Sequence, residues 1–75
     1  MNGYGAEVAR MHKEFTDRLR TRRQLLGISQ SSLAKQCHVT QSHISHIECG
    51  RRSVSFDVLA PMLRMLGLEL RLKIK

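Results

Sequence analysis

The stretch Ile28–Gly50, ISQSSLAKQCHVTQSHISHIECG, constrains this chain more than any other. Ser29 and Thr40 both carry side chains that cap helices, and each opens a short run with apolar residues at helical spacing. Leu33 and Cys37 stand four apart and Ile44 and Ile47 three apart, so each run reads as a short helix with one narrow buried stripe. Val39 is the apolar plug in the turn between them. Gly50 tolerates positive φ at the point where the second helix must stop.

The face left over on the second helix carries Gln41, Ser42, Ser45, His46 and Cys49, with no negative charge among them. Gln41 and Ser42 stand at the helix N-terminus, where the dipole favours anions. Amides and hydroxyls in that position can hydrogen-bond base edges in a DNA major groove. Taken alone, a Gln/Ser/His face is ordinary solvated surface. The capped pair, its spacing and the basic charge around it favour nucleic acid.

Thirteen Lys and Arg against six Asp and Glu give a net charge of +7, which points to a polyanionic partner. No segment pairs a basic face with a strongly apolar aromatic one, which argues against a membrane surface. Seventy-five residues make one domain with a marginal core, and three aromatics without Trp make that core aliphatic. Support is expected from a partner subunit, because two cysteines without a signal peptide read as reduced cytosolic thiols. No apolar run reaches membrane-spanning length, so a soluble cytoplasmic protein is expected.

Residues 1–5 (MNGYG) read as a flexible terminus. From Ala6 to Leu26 the pattern is helical, with Val8, Met11, Phe15, Leu19 and Leu26 recurring at three- or four-residue steps once Arg22, which breaks the series, is counted between the last two. One long helix and two pieces are both compatible with it. Gly27 is the expected stop. Arg18, Arg20, Arg22 and Arg23 cluster near its end, where they complement the helix dipole. After Gly50, Arg51 and Arg52 are placed for backbone phosphates. Ser55 is read as the cap of a last helix, Phe56–Leu66, with Asp57 in its first turn and Phe56, Leu59, Leu63 and Leu66 along one face beside Met62. Pro61 should bend this helix or delay its start. Beyond Gly67, Leu68, Leu70, Leu72 and Ile74 alternate with Glu69, Arg71, Lys73 and Lys75, the period of a strand with one apolar face. A lone strand has nothing in its own subunit to pair with, so a two-fold antiparallel ribbon is expected.

Three segments, LGISQSSLA (Leu26–Ala34), VTQSHISHIECG (Val39–Gly50) and SFDVLAPMLRMLG (Ser55–Gly67), make Phe15–Leu70 resemble the phage-repressor, or xenobiotic-response-element, class of helix-turn-helix proteins. The tail LGLELRLKIK is further similar to the C-terminal strand of HipB-type antitoxins. The resemblance implies an all-α fold: a four- to five-helix repressor-like DNA-binding bundle over residues 6–67. Residues 68–75 would form the dimerisation strand, with Leu68, Leu70, Leu72 and Ile74 on its apolar face. His38 departs from the Gly common after the second helix of this class; a non-Gly residue is uncommon in a left-handed conformation, though His tolerates it better than most.

The resemblance also implies roles. Arg23 would form a partly buried ion pair with Glu48 and present itself to a phosphate. Gln30 would donate its amide to a phosphate and brace Gln41. Gln41 is the candidate for bidentate contact with adenine, with Ser42, Ser45 and His46 as further base readers. Thr40, His43, Arg51 and Arg52 would hold the DNA backbone. The expected function is that of a dimeric, non-enzymatic transcription regulator at the bacterial nucleoid. It would be an autorepressor and HipB-like antitoxin reading a palindromic double-stranded operator, with a cognate toxin as a further partner. An antitoxin acting mainly through protein binding and a restriction–modification controller remain alternatives. Cys37, His38, His43, His46 and Cys49 invite a metal reading, but Cys37 falls on the apolar stripe and no CxxC set accompanies it, so neither metal nor cofactor is expected.

Overall fold

The computed structural model describes residues 5–71. It contains four helices, α1 (Gly5–Leu25), α2 (Gln30–Cys37), α3 (Gln41–Glu48) and α4 (Phe56–Leu66). α1 is one uninterrupted helix, and Gly5 belongs to it rather than to a loose terminus. It packs against α3 and α4, and α2 packs against the same two. No strand occurs among the described residues, and residues 68–71 follow α4 without regular structure. Met1–Tyr4, Leu72 and Ile74 lie outside the described residues.

The three short helices start where local chemistry favours it. The Ser29 hydroxyl accepts from the Ser32 N–H (3.0 Å) and the Thr40 hydroxyl from the His43 N–H (3.1 Å), each in extended N-cap geometry. Ser55 holds the equivalent backbone position, but its side chain makes no capping bond, which corrects its reading as a side-chain cap. α4 begins at Phe56 and runs through Pro61, so the proline does not delay it. The missing Pro61 N–H leaves the carbonyl of exposed Asp57, four residues earlier, to water.

All four helices end alike, with a left-handed residue followed by a backbone bond reaching five residues back. The left-handed residues are Gly27, His38, Gly50 and Gly67, with φ of 70°, 58°, 76° and 66°. The closing bonds run from the N–H groups of Ile28, Val39, Arg51 and Leu68 to the carbonyls of Arg23, Ala34, His46 and Leu63 (2.9–3.0 Å). Ile28, Val39 and Leu68 tuck against the core after their turns, the hydrophobic contact that accompanies this motif. Arg51 is the exception; it stays exposed.

The core is aliphatic, formed by Leu19, Leu33, Ala34, Cys37, Ile44, Ile47, Met62 and Leu66, with Leu59 also buried. Burial pushes the Cys37 thiol above its ordinary value, so it sits there as a protonated small hydrophobe. Two expected stripes need correction. On α4 the buried line is Leu59, Met62 and Leu66, Leu63 is half-buried, and Phe56 is 77% exposed. At 3.6 residues per turn, Phe56 points about 90° away from that line. On α1 the buried line is Thr16, Leu19 and Arg23, while Val8 (59%) and Met11 (58%) remain exposed, as does Leu26 (44%) just past the helix. The first turns of this 21-residue helix reach past the short helices that would have covered them.

The His38 turn carries strain that a glycine would not. A non-glycine residue in the left-handed region costs about 1–2 kcal/mol, partly offset because glycine loses more freedom on folding. His38 is exposed and so contributes little packing. His38→Gly should therefore stabilise the fold by about 0.5–1 kcal/mol, read as a rise of several degrees in thermal midpoint. A fall in midpoint would show that the imidazole makes contacts worth more than the strain.

Candidate nucleic-acid interface

α2 and α3 are joined by His38, Val39 and Thr40. α3 buries Ile44, Ile47 and Glu48, and its remaining surface faces outward. Gln41 and Ser42, at its N-terminus, are exposed; His43, Ser45 and His46 are half-buried. The helix ends at Glu48, with Cys49 as its exposed C-cap rather than its last turn. The two exposed polar residues coincide with the end where free backbone N–H groups gather.

α3 is held from beneath by a buried ion pair. Arg23 Nε donates to Glu48 Oε2 (2.6 Å) and Arg23 Nη2 to Glu48 Oε1 (3.0 Å), a bidentate arrangement. The side chains are 10% and 1% exposed. Arg23 Nη1 also donates to the Ile28 carbonyl (2.8 Å), so one guanidinium ties the last turn of α1, the entry to α2 and the end of α3. Three of its donors are thereby committed, and only a thin edge reaches solvent.

The network continues outward. Gln30 Nε2 donates to Glu48 Oε1 (3.0 Å), and Gln41 Nε2 donates to Gln30 Oε1 (2.5 Å). The structure therefore brings Arg23, Glu48, Gln30 and Gln41 into one chain of bonds from the core to the exposed tip of α3. One N–H of the Gln30 amide is engaged with Glu48 and leaves the other free. Thr40 is exposed with its hydroxyl hydrogen still free, and Arg51 and Arg52 are exposed just beyond α3.

Cys37 is buried and Cys49 exposed, and both are free thiols. Among the described residues, no three His, Cys, Asp or Glu side chains are grouped to hold a metal ion. No helix among them is long and apolar enough to cross a membrane.

Sequence reasoning missed two supports. Arg22, which interrupts the apolar series of α1, donates from Nε to the Leu66 carbonyl (2.9 Å) and so satisfies the end of α4. His12 lies against Gly50, where an added Cβ would meet its ring at 3.8 Å, and its Nε2 is buried without a hydrogen-bond partner. An Arg or His at helical spacing gives no sign of which carbonyl or glycine it will meet across the fold. Lys13 and Asp17 form an exposed pair on α1 (2.9 Å) whose hydrogen bond holds the Asp17 carboxyl below its ordinary value.

Removing one side of the buried pair should be severe. Glu48→Ala leaves the Arg23 guanidinium buried without its counter-charge, and the loss should be about 3–5 kcal/mol by chemical denaturation. A loss below about 1 kcal/mol, the range of solvated surface pairs, would mean the pair is not buried in solution.

Neither the comparison with curated proteins nor that with solved structures gave a match. The model of the helix-turn-helix domain family matches residues 14–72. That span takes in the Arg-rich half of α1, the α2–α3 pair with its bond network, and all of α4. The chain thus belongs to the helix-turn-helix domain family.

Proposed function

We propose that this protein is a dimeric, sequence-specific double-stranded DNA-binding transcription regulator of the phage-repressor type, an autorepressor that lays α3 in the major groove. The observation that carries this reading is the exposed, uncharged Gln41–Ser42 tip of α3, braced to α2 and flanked by exposed Arg51 and Arg52 on a chain of net charge +7. Gln41 pairs with adenine, and Ser42, Ser45 and His46 read neighbouring edges. Thr40, His43, Gln30, Arg51 and Arg52 contact phosphates, and Arg23 adds a contact with what remains of its donors.

One bidentate base contact discriminates by only about 1–3 kcal/mol, so a half-site gives too little selectivity. A second subunit supplies the rest, with half-sites about one helical turn apart or a multiple of it. The tail is the proposed link. Leu68 rests against the core, while Leu70 is 59% exposed beside a groove lined by Phe15, Leu25, Leu63 and Leu68. A partner tail running antiparallel would cover Leu70, Leu72 and Ile74 and satisfy the backbone between them.

A HipB-like antitoxin is a second reading. Phe56 on α4 and Val8 and Met11 on α1 are exposed apolar side chains outside α3. A protein co-purifying with the wild type, and lost on Phe56→Ser, would favour it.

Selection from a random duplex pool tests the main reading: the wild type should enrich a palindromic site, and failure to enrich any sequence over bulk competitor would end it. Gln41→Ala should flatten preference at one position per half-site; an unchanged site would remove Gln41 as a reader. Arg52→Ala should weaken all sequences alike and lower the slope of log affinity against log salt by about 1 per half-site. An unaltered slope would place Arg52 away from any phosphate. Because Leu68 packs on the core and its N–H closes α4, the tail should be cut after that residue. Sedimentation should then give monomers, and a persisting dimer would refute the tail as the link.

A further inference from the structure

We propose that Glu48, acting through Gln30, fixes the direction of the Gln41 amide and thereby makes this position select adenine against guanine. The inference rests on the reading of α3 as the helix that enters the groove. Glu48 is a positioning residue here; it touches no base.

What each group is able to donate fixes the order of the chain. An ionised carboxylate only accepts. Glu48 has a 1% exposed side chain and is held by two Arg23 donors, so Gln30 must meet it with its NH2 end, as it does at 3.0 Å. The Gln30 carbonyl oxygen is thereby turned outward, where it too can only accept. Gln41 must in turn present its NH2 to it. Direction passes along the chain without ambiguity: Arg23 donates to Glu48, Gln30 to Glu48, and Gln41 to Gln30. A buried charge eighteen residues away from Gln30 in sequence decides which end of an exposed amide faces which way.

What is left on Gln41 is one N–H and the whole carbonyl, in a set order. Adenine offers an N7 acceptor and an N6 donor in the major groove and matches that pair. Guanine offers acceptors at both N7 and O6, so the Gln41 carbonyl would face O6 with lone pairs on both sides. A glutamine free to turn end for end escapes this clash by swapping its NH2 onto O6. The bond to Gln30 removes that escape before DNA arrives. Replacing the lock by an apolar side chain should therefore let guanine in, while the lost Gln30 phosphate contact lowers affinity for every sequence alike.

The test compares the wild type with Gln30→Met, which keeps the length of the side chain but neither end of the amide. Sites selected from a random duplex pool should show the adenine-to-guanine ratio falling by about tenfold at one position per half-site, with the other positions unchanged. A second variant, Gln41→Ala, removes the amide itself and should abolish any preference at that position, which separates loss of the reader from loss of its direction. Overall affinity and stability will be lower, but the ratio is read within one protein and uniform losses cancel. Full adenine preference in Gln30→Met, or equal relaxation at every position, would overturn the inference and leave the DNA-binding reading intact. A wild type that selects no sequence would overturn that reading and the base selection with it. The lock itself is also visible without DNA. In the free wild type, the Gln41 side-chain NH2 resonances should lie away from those of a solvated glutamine and move to them in Gln30→Met. Solvated positions already in the wild type would show that no lock exists.

Discussion

The arrangement depends on one guanidinium meeting one carboxylate out of water. Arg23 and Glu48 join helices that are far apart in sequence, and the pair is buried on all but a thin edge. Two such charges in a small aliphatic core are tolerable only because the contact is bidentate and the leftover donor finds the Ile28 carbonyl. A hydrophobic pair could fill the same volume with no desolvation penalty. What it could not do is present a fixed acceptor to Gln30, and so the polar pair determines the orientation of what lies above it as well as the docking of α3.

The turns show how little this fold relies on length. α2 and α3 are eight residues each, too short to persist alone in water. Each is closed at the front by a hydroxyl and at the back by a left-handed residue, and three of the four helix endings are pinned by an apolar side chain. These devices act within five or six residues, which is why the helix pair and its boundaries were legible in the sequence. His38 in a left-handed turn was also readable there, as a departure from glycine, and it adopts φ 58°.

What the sequence hid is what depends on neighbours. Helical spacing says which residues share a face, not whether another element arrives to cover it. Phe56, Val8 and Met11 follow the apolar period yet are exposed, while Thr16 and Arg23 are buried. The real inner line of α1 holds a hydroxyl and a guanidinium, and Thr16 turns its hydroxyl back to the Lys13 carbonyl (3.2 Å). The contact of Gln30 with Glu48 was hidden for the same reason. Nothing in the spacing of a glutamine and a glutamate eighteen residues apart signals that they meet; three elements must first be packed around Arg23.

Arg22 and Arg23 are consecutive, yet they hold the ends of two different helices. Arg23 secures the C-terminal end of α3, and Arg22 secures the carbonyl of Leu66, from which the tail departs. One turn of α1 therefore joins the end of α3 to the point where residues 68–71 leave α4. In a two-fold pair joined by the tails, the span from one groove helix to the other would be a ruler with its graduations cut at these two arginines. The phase of an operator along the DNA axis would then be written in the backbone step between them.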